Sequence, residues 1–116
     1  MITIYRGRRS GRGSYIIQRR DESQKRWLKL SPSKSLKLWN HSPTGFAWGY
    51  AGSGPAQTAL ALLLDYTGNR DLALAHYQDF KFAVIAGLPE EWEMTGDQIL
   101  EAVAAIKQKL MADVPW

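Results

Sequence analysis

The side chains best suited to hold a ligand are the cationic and aromatic residues of the first forty positions. Lysine and arginine attract phosphates and carboxylates, and tryptophan offers a flat ring on which a nucleic-acid base stacks. Both kinds occur together in residues 26–30 and 36–39. Single-strand binding requires this combination, because charge supplies affinity and stacking supplies grip. The residues that we predict to bind an acidic partner are Arg8, Arg9, Arg12, Arg19, Arg20, Trp27, Lys29, Lys37 and Trp39.

The charge of the chain is divided unevenly along its length. The formal net charge is +4, but residues 1–40 hold 11 of the 15 lysines and arginines with only two acids, a formal charge of +9. Residues 41–116 hold four of these bases and nine acids, a formal charge of −5. Such a charge distribution attracts phosphate backbones, acidic protein surfaces or anionic lipid to the first third of the chain. The alternative is that the bases only keep an N-terminal sheet soluble and that both tryptophans are buried.

A second candidate site is the glycine-rich segment formed by Gly52, Ser53 and Gly54, which precedes Pro55. Free amide groups and the dipole at the start of a helix favour an anion there. No lysine follows as in a P-loop, and proline removes one donor. The alternative is that these glycines let a buried helix start close against its neighbours. We therefore name the three residues as a candidate anion site and keep the packing alternative open.

Groups that could perform catalysis are sparse. His41 and Ser42 are adjacent, but no third member of a triad is identifiable, and two histidines without cysteine do not make a zinc site. We therefore expect no catalytic residue, no metal and no cofactor. The order of Arg6, then Ser42 with Thr44, then residues 91–93 loosely resembles the Arg, Ser-Thr and Glu-x-Glu elements of ADP-ribosyltransferases. That resemblance implies an NAD-dependent activity as an alternative, with arginine on the NAD phosphates and glutamate stabilising the ribosyl cation.

The elements that carry the cationic residues are predicted to be strands. Residues 2–6 alternate with period two, and residues 14–18 resume a strand pattern after a turn of glycine and serine, which predicts a hairpin with arginines at its tip. Residues 26–30 and 36–39 predict two further short strands. Their leucines then share a core face, while Trp27, Lys29, Lys37 and Trp39 share the opposite face.

Three helices are predicted to follow the sheet. Residues 56–66 are apolar almost all round, typical of a buried helix, with Ser53 or Gly54 as its cap and Gly68 as its end. Residues 71–86 predict a second helix, and a capping box at Thr95 and Gln98 opens a third that runs to about residue 111. The predicted fold class is α+β, with a small N-terminal antiparallel β-sheet followed by three helices, the first one buried.

Length and composition predict one domain, 1–116, divided into a basic β-rich part (1–40), a glycine and aromatic loop (41–54) and a helical part (55–116). The absence of cysteine excludes disulfides and thiolate metal sites, and it fits a reducing cytoplasm. The longest nearly apolar stretch, residues 56–64, is about half the length that a membrane crossing needs. We therefore expect a cytoplasmic protein without a membrane partner.

Residues 41–63 carry an unusual motif, HSPTGFAWGYAGSGPAQTALALL. The motif closely resembles the signature HSPTGFxWGYxGSGPAQxALALL of an uncharacterised family of small domains in bacteria, archaea and their phages and mobile elements. The resemblance extends to residues 5–7, 35–38 and 77–81. In that pattern a Glu stands where this chain has Ala47, and a Leu where it has Thr58. The resemblance implies no activity.

The function expected from these features is that of a non-enzymatic accessory protein of phage or mobile-element type. Its basic hairpin would bind nucleic acid or a host nucleoprotein complex, including one engaged in host defence. The alternative is a modulator that docks on a host protein without touching nucleic acid, since tryptophan, tyrosine and arginine dominate binding hot spots. Trp116 is a candidate anchor for such docking.

Overall fold

A computed structural model describes residues 2–112, so Trp116 lies outside the described residues. Four antiparallel strands form one sheet in the order β3-β2-β1-β4. The predicted hairpin is confirmed and is longer than its sequence pattern, because seven residues of each strand pair across it. The strands are β1 (Thr3–Arg9), β2 (Tyr15–Asp21), β3 (Leu28–Lys29) and β4 (Trp92–Thr95).

Three long helices, one short helix and a 3-10 turn complete the fold in residues 2–112. Together with the sheet they confirm the α+β class, although there is one helix more than predicted. Strand β4 lies within the part predicted to be helical, and it pairs with β1. The helices are α1 (Ser33–Leu38), α2 (Ser53–Thr67), α3 (Arg70–Ala83) and α4 (Gly96–Ala112), and the 3-10 turn is Ile85–Gly87.

The two faces of the sheet have different neighbours. Side chains alternate along a strand, so Tyr5 and its partner positions share one face, which is packed against the helices. Tyr5 and Ile17 are fully buried there, and the Tyr5 hydroxyl reaches Asp65 on α2. The opposite side, which we call the outward face, carries no buried residue. It consists of Ile4, Arg6, Arg8, Ile16, Gln18, Arg20, Lys29, Glu93 and Thr95.

The strand predicted for residues 36–39 is wrong, because Ser33–Leu38 forms helix α1. Two leucines separated by one residue fit a strand equally well, and the pattern is too short to decide. The contact that decides it is tertiary: the buried Ser35 hydroxyl accepts a hydrogen bond from Gln57 Nε2 at 2.9 Å. The expected core position of Leu28 is also wrong, since 56% of that residue is exposed at the edge of the sheet.

Helix α2 is the buried helix that its apolar sequence predicts. It is buried almost continuously from residue 54 to residue 63. It ends as predicted at Gly68, whose φ of 62° is the left-handed conformation that glycine adopts without strain. The predicted cap is wrong, because the N-cap is Gly52 and no side chain bonds the first turn. The capping box of α4 is confirmed by hydrogen bonds in both directions between Thr95 and Gln98.

The segment between α1 and α2 is fastened to α2 by two buried polar side chains. Gln57 Oε1 accepts from the backbone N–H groups of His41 and Ser42 at 2.9 and 3.2 Å. The Thr58 hydroxyl accepts from the Ala47 N–H at 3.1 Å and donates to the Ala47 carbonyl at 2.7 Å. Both side chains are fully buried, so these bonds replace water for the loop backbone.

In residues 2–112 no helix is long and apolar enough to cross a membrane.

Candidate nucleic-acid interface

The outward face concentrates positive charge because the register of the strands places basic residues side by side. Arg6 and Arg8 are two residues apart on β1, and Arg20 on β2 and Lys29 on β3 occupy outward positions beside them. Among the outward positions of the four strands, Glu93 is the single acid. The face therefore presents four cations against one carboxylate to anything that lies across it.

Trp27 is placed on this face by two arginines. The guanidinium carbon of Arg6 lies 3.9 Å from the centre of the indole, and that of Arg20 lies 5.2 Å from it. Each arginine is also held by a hydrogen bond: Arg6 Nε donates to Gln18 Oε1 at 2.8 Å, and Arg20 donates to the Gln24 carbonyl at 2.9 Å. The indole is half-buried. The result is a pre-organised group of one aromatic ring and two cations on an open sheet.

The hairpin extends this charge beyond the sheet. The Ser10 hydroxyl accepts the backbone N–H groups of Arg12 and Ser14 at 3.3 and 3.2 Å, which closes the turn. Arg9 lies on the other face, 4.8 Å from the Tyr15 ring. Within residues 2–112, Arg8 and Arg12 make no ion pair. Their guanidinium groups are exposed and available to an anionic partner.

Arg19 does not belong to this surface. It pairs with Tyr5 on the inward face and forms an ion pair with Asp65 at 2.7 Å and a longer one with Asp21 at 3.5 Å. Asp65 also accepts a hydrogen bond from the Tyr5 hydroxyl at 2.6 Å. Burial and this bond to the carboxylate raise the pKa of Tyr5, so the phenol stays protonated. Arg19 therefore fastens the sheet to α2, and we leave it out of the interface.

Lys37 and Trp39 lie on a different surface from Trp27, so the expectation that the two tryptophans share one face is wrong. Trp39 follows α1, is 57% exposed and stacks on His41 with 5.8 Å between ring centres. His41 Nε2 is hydrogen-bonded to the Tyr77 hydroxyl of α3 at 2.7 Å. This group belongs to the helical side of the molecule. The two tryptophans were expected on one face because residues 36–39 were predicted to be a strand of the sheet, whereas residues 33–38 form helix α1.

The candidate anion site at the start of α2 opens into a cavity of about 580 Å³. Ser53 and Gly54 line the cavity together with Ser42 and Thr44. A side chain on Gly54 would collide with Ala47, so the absence of a Cβ lets the loop and the helix touch. This packing role explains why position 54 is a glycine, and the explanation needs no bound anion.

Of the three elements that resemble ADP-ribosyltransferases, two share one pocket and the third lies in another. Arg6 and Glu93 are cross-strand neighbours, and both line an open pocket of about 450 Å³ with Glu91. Ser42 and Thr44 line the separate cavity at the start of α2. Within residues 2–112, no group of three histidine, aspartate or glutamate side chains is arranged to hold a metal ion.

His41 predicts how the stability of the protein depends on pH. Burial, with a smaller contribution from the charge of Lys81, lowers the pKa of His41 below its ordinary value of 6.5. Below that pH the unfolded chain takes up a proton that the native state resists, so the contribution of His41 to stability is lost as the pH falls. We expect the free energy of unfolding in urea to fall between about pH 7 and about pH 5, and to fall less in His41→Gln. An equal fall in both proteins would contradict this assignment.

Sequence reasoning named Arg8, Arg12 and Trp27 among the candidate residues, but it left out Arg6, which contacts Trp27 on the outward face. A signal for it was present, because period two puts Arg6 and Arg8 on the same face of one strand. The contact between Arg6 and Trp27 carries no local signal, since it joins residues 21 positions apart across the sheet.

The fold and this surface define a small α+β domain in which helices cover one face of a four-stranded sheet and the other face is cationic. The model of a family described as "Family of unknown function (DUF6166)" matches residues 5–105, and the chain belongs to this family. The expected membership of an uncharacterised family is therefore confirmed, and the family description names no enzymatic activity. No curated protein and no solved structure matches the chain.

Proposed function

We propose that this protein is a non-enzymatic binding module that holds nucleic acid on the outward face of its sheet and at the tip of its hairpin. The observation that carries the proposal is the group formed by Arg6, Trp27 and Arg20, surrounded by cations that lack acidic partners among residues 2–112. A sheet of this kind offers phosphates several positive contacts, and its indole offers bases a stacking face once a guanidinium moves off the ring.

Charge distribution supports nucleic acid over an unrelated surface role. Ion pairs with nearby acids would neutralise surface arginines in part. Here Arg8 and Arg12 stand free of ion pairs within residues 2–112, and the single outward acid, Glu93, lies on the edge strand β4. A polyanion that crosses β3, β2 and β1 meets a cation on each strand, and the one outward carboxylate beside its path is that of Glu93, the cross-strand neighbour of Arg6.

The biological setting belongs to the same proposal. Absence of cysteine supports a cytoplasmic location. The resemblance of residues 41–63 supports an origin in phages or mobile elements, where an accessory protein could act on a host nucleoprotein complex and modulate host defence. The alternative is docking on a host protein by the same cationic surface, without nucleic-acid contact.

The proposal is tested by fluorescence anisotropy of labelled single-stranded and duplex DNA and RNA, titrated with protein between about 50 and about 200 mM salt. We expect affinity to fall log-linearly with salt. Arg8→Glu with Arg12→Glu should weaken binding about tenfold or more and reduce the salt slope by about two, because two phosphate contacts are lost. Trp27→Ala should weaken single-strand binding with little change in the slope, because stacking releases no counterions.

The matched control is Lys34→Glu with Lys37→Glu, which changes the net charge by the same amount on exposed positions of α1. We expect this variant to bind much better than the hairpin variant, because its substitutions lie away from the outward face. Equal losses in both would mean that only total charge matters. Unchanged anisotropy for every oligonucleotide at low salt would refute nucleic-acid binding and leave protein docking.

A further inference from the structure

A second exposed surface, distant from the outward face, lies where the C-terminal halves of α3 and α4 meet. Phe82 is 63% exposed and Leu110 is 50% exposed, although both are large apolar side chains. With Ala83 and Ile106 they line a groove of about 400 Å³, which we call the apolar groove. Large apolar residues that are exposed side by side mark an interaction surface more often than isolated ones do.

The apolar groove has one charge of each sign at its margin. Asp79 lies on the α3 side and Lys109 on the α4 side, and both line the groove. They form no ion pair with each other, nor with another residue in the part of the chain that the structure describes. The groove therefore carries an acid and a base that are free to pair across an interface.

The orientation of the Phe82 ring is restricted by a contact with Lys81. The Lys81 ammonium lies 4.0 Å from the centre of the Phe82 ring, and Lys81 is itself buried. A cation over one face of the ring restricts its motion and leaves the remaining surface exposed. Binding then costs less conformational entropy than it would for a freely rotating side chain.

We propose that the apolar groove binds a second copy of this chain in a twofold symmetric dimer. A twofold axis through the groove brings the same patch of both copies together, so that residue i of one meets residue j of the other and the reverse. Phe82 of one copy then packs on Leu110 of its partner, and Asp79 of each faces Lys109 of the other. Because the groove carries one charge of each sign, the grooves of two copies attract each other across the twofold axis, whereas grooves with charges of a single sign would repel each other.

The size of the groove sets the expected strength of the dimer. Its four apolar residues and two charges are fewer than the 20 to 30 residues a side, roughly, of a standard interface. The association is therefore weak, with a dissociation constant in the micromolar range or above. Dimerisation would place two cationic sheets on one particle, so a long nucleic acid would be held by both at once.

The test is sedimentation equilibrium of the full chain without nucleic acid, from micromolar to near-millimolar concentration. We expect a reversible monomer–dimer equilibrium. Phe82→Asp should weaken it more than tenfold, because the exposed ring is removed from the centre of the interface. Asp79→Lys and Lys109→Asp should each weaken it about threefold, because each places like charges opposite one another. The variant that carries both substitutions should dimerise as the original chain does, because exchange of the two signs restores each pair.

Thermal unfolding at a concentration where the chain is monomeric provides the folding control, and we expect similar melting temperatures because the substituted residues are exposed. A chain that is monomeric at every concentration would overturn the proposal. The proposal would also be overturned if Phe82→Asp dimerised as the original chain does. It would be overturned too if the variant with both Asp79→Lys and Lys109→Asp failed to dimerise. The result is independent of nucleic-acid binding, since the groove shares no residue with the outward face.

Discussion

Gly7→Ala is expected to destabilise the protein by about 3 kcal/mol. Gly7 lies in β1 opposite Trp92 of β4, and a Cβ at this position would collide with the indole ring. The ring has little room to withdraw, because Trp92 is 7% exposed and packs perpendicular to Trp48 with 5.5 Å between ring centres. Accommodation requires that two buried tryptophans move or that β1 and β4 separate.

The measurement for this prediction is the free energy of unfolding in urea, and the matched control is Gly11→Ala. Gly11 lies in the hairpin turn, where a Cβ would meet nothing within 4 Å. The control should therefore change stability by less than about 0.5 kcal/mol. Similar stability of Gly7→Ala and the original chain would mean that Trp92 is not fixed against β1.

The same substitution connects the core to the proposed interface. Gly7 stands between Arg6 and Arg8, whose side chains occupy the outward face while the Trp92 ring occupies the inward one. The buried Trp92 Nε1 has no hydrogen-bond partner among residues 2–112, so close packing rather than a polar bond keeps the ring in place. A shift of β1 would therefore alter the spacing of the two arginines and weaken nucleic-acid binding in the molecules that still fold.

Gln57→Leu is the second substitution with a large expected effect, a loss of about 3 kcal/mol. The leucine has a similar volume, but the backbone N–H groups of His41 and Ser42 lose their acceptor. The Ser35 hydroxyl loses the donor that ties α1 to α2. Each buried or half-buried donor without a partner costs about 1–3 kcal/mol, which exceeds what the added apolar surface returns.

Urea denaturation measures this loss, and Gln78→Leu is the control because Gln78 lies on an exposed position of α3. We expect the control to unfold at nearly the same urea concentration as the original chain. In Gln57→Leu we also expect the His41 signals in an NMR spectrum to move, because its backbone anchor is gone. Stability equal to that of the control would show that water satisfies the loop in the absence of Gln57.

Sequence periodicity determined the elements whose neighbours are local. Two strand-like runs on either side of a glycine turn are sufficient to predict the hairpin of β1 and β2, because strand pairing there needs only a short loop. A run that is apolar on every side predicts α2, since such a helix has no face to offer to water. The Thr95 and Gln98 pair predicts the start of α4, because the two hydrogen-bonding partners are only three residues apart in the chain.

Tertiary structure alone decided the elements and sites whose partners are distant in the chain. Residues 33–38 form a helix, and the Ser35 hydroxyl in that helix is hydrogen-bonded to Gln57, which lies 22 positions further along the chain. Arg19 is withdrawn from the candidate interface by Asp65, 46 positions away, whereas Arg6 is added to it by Trp27. Local patterns report which residues are cationic or apolar, but the face on which each one lies depends on strand register and on helix packing. Strand register and helix packing are determined by burial summed over the whole chain, so a short window of sequence does not contain the information that sets them.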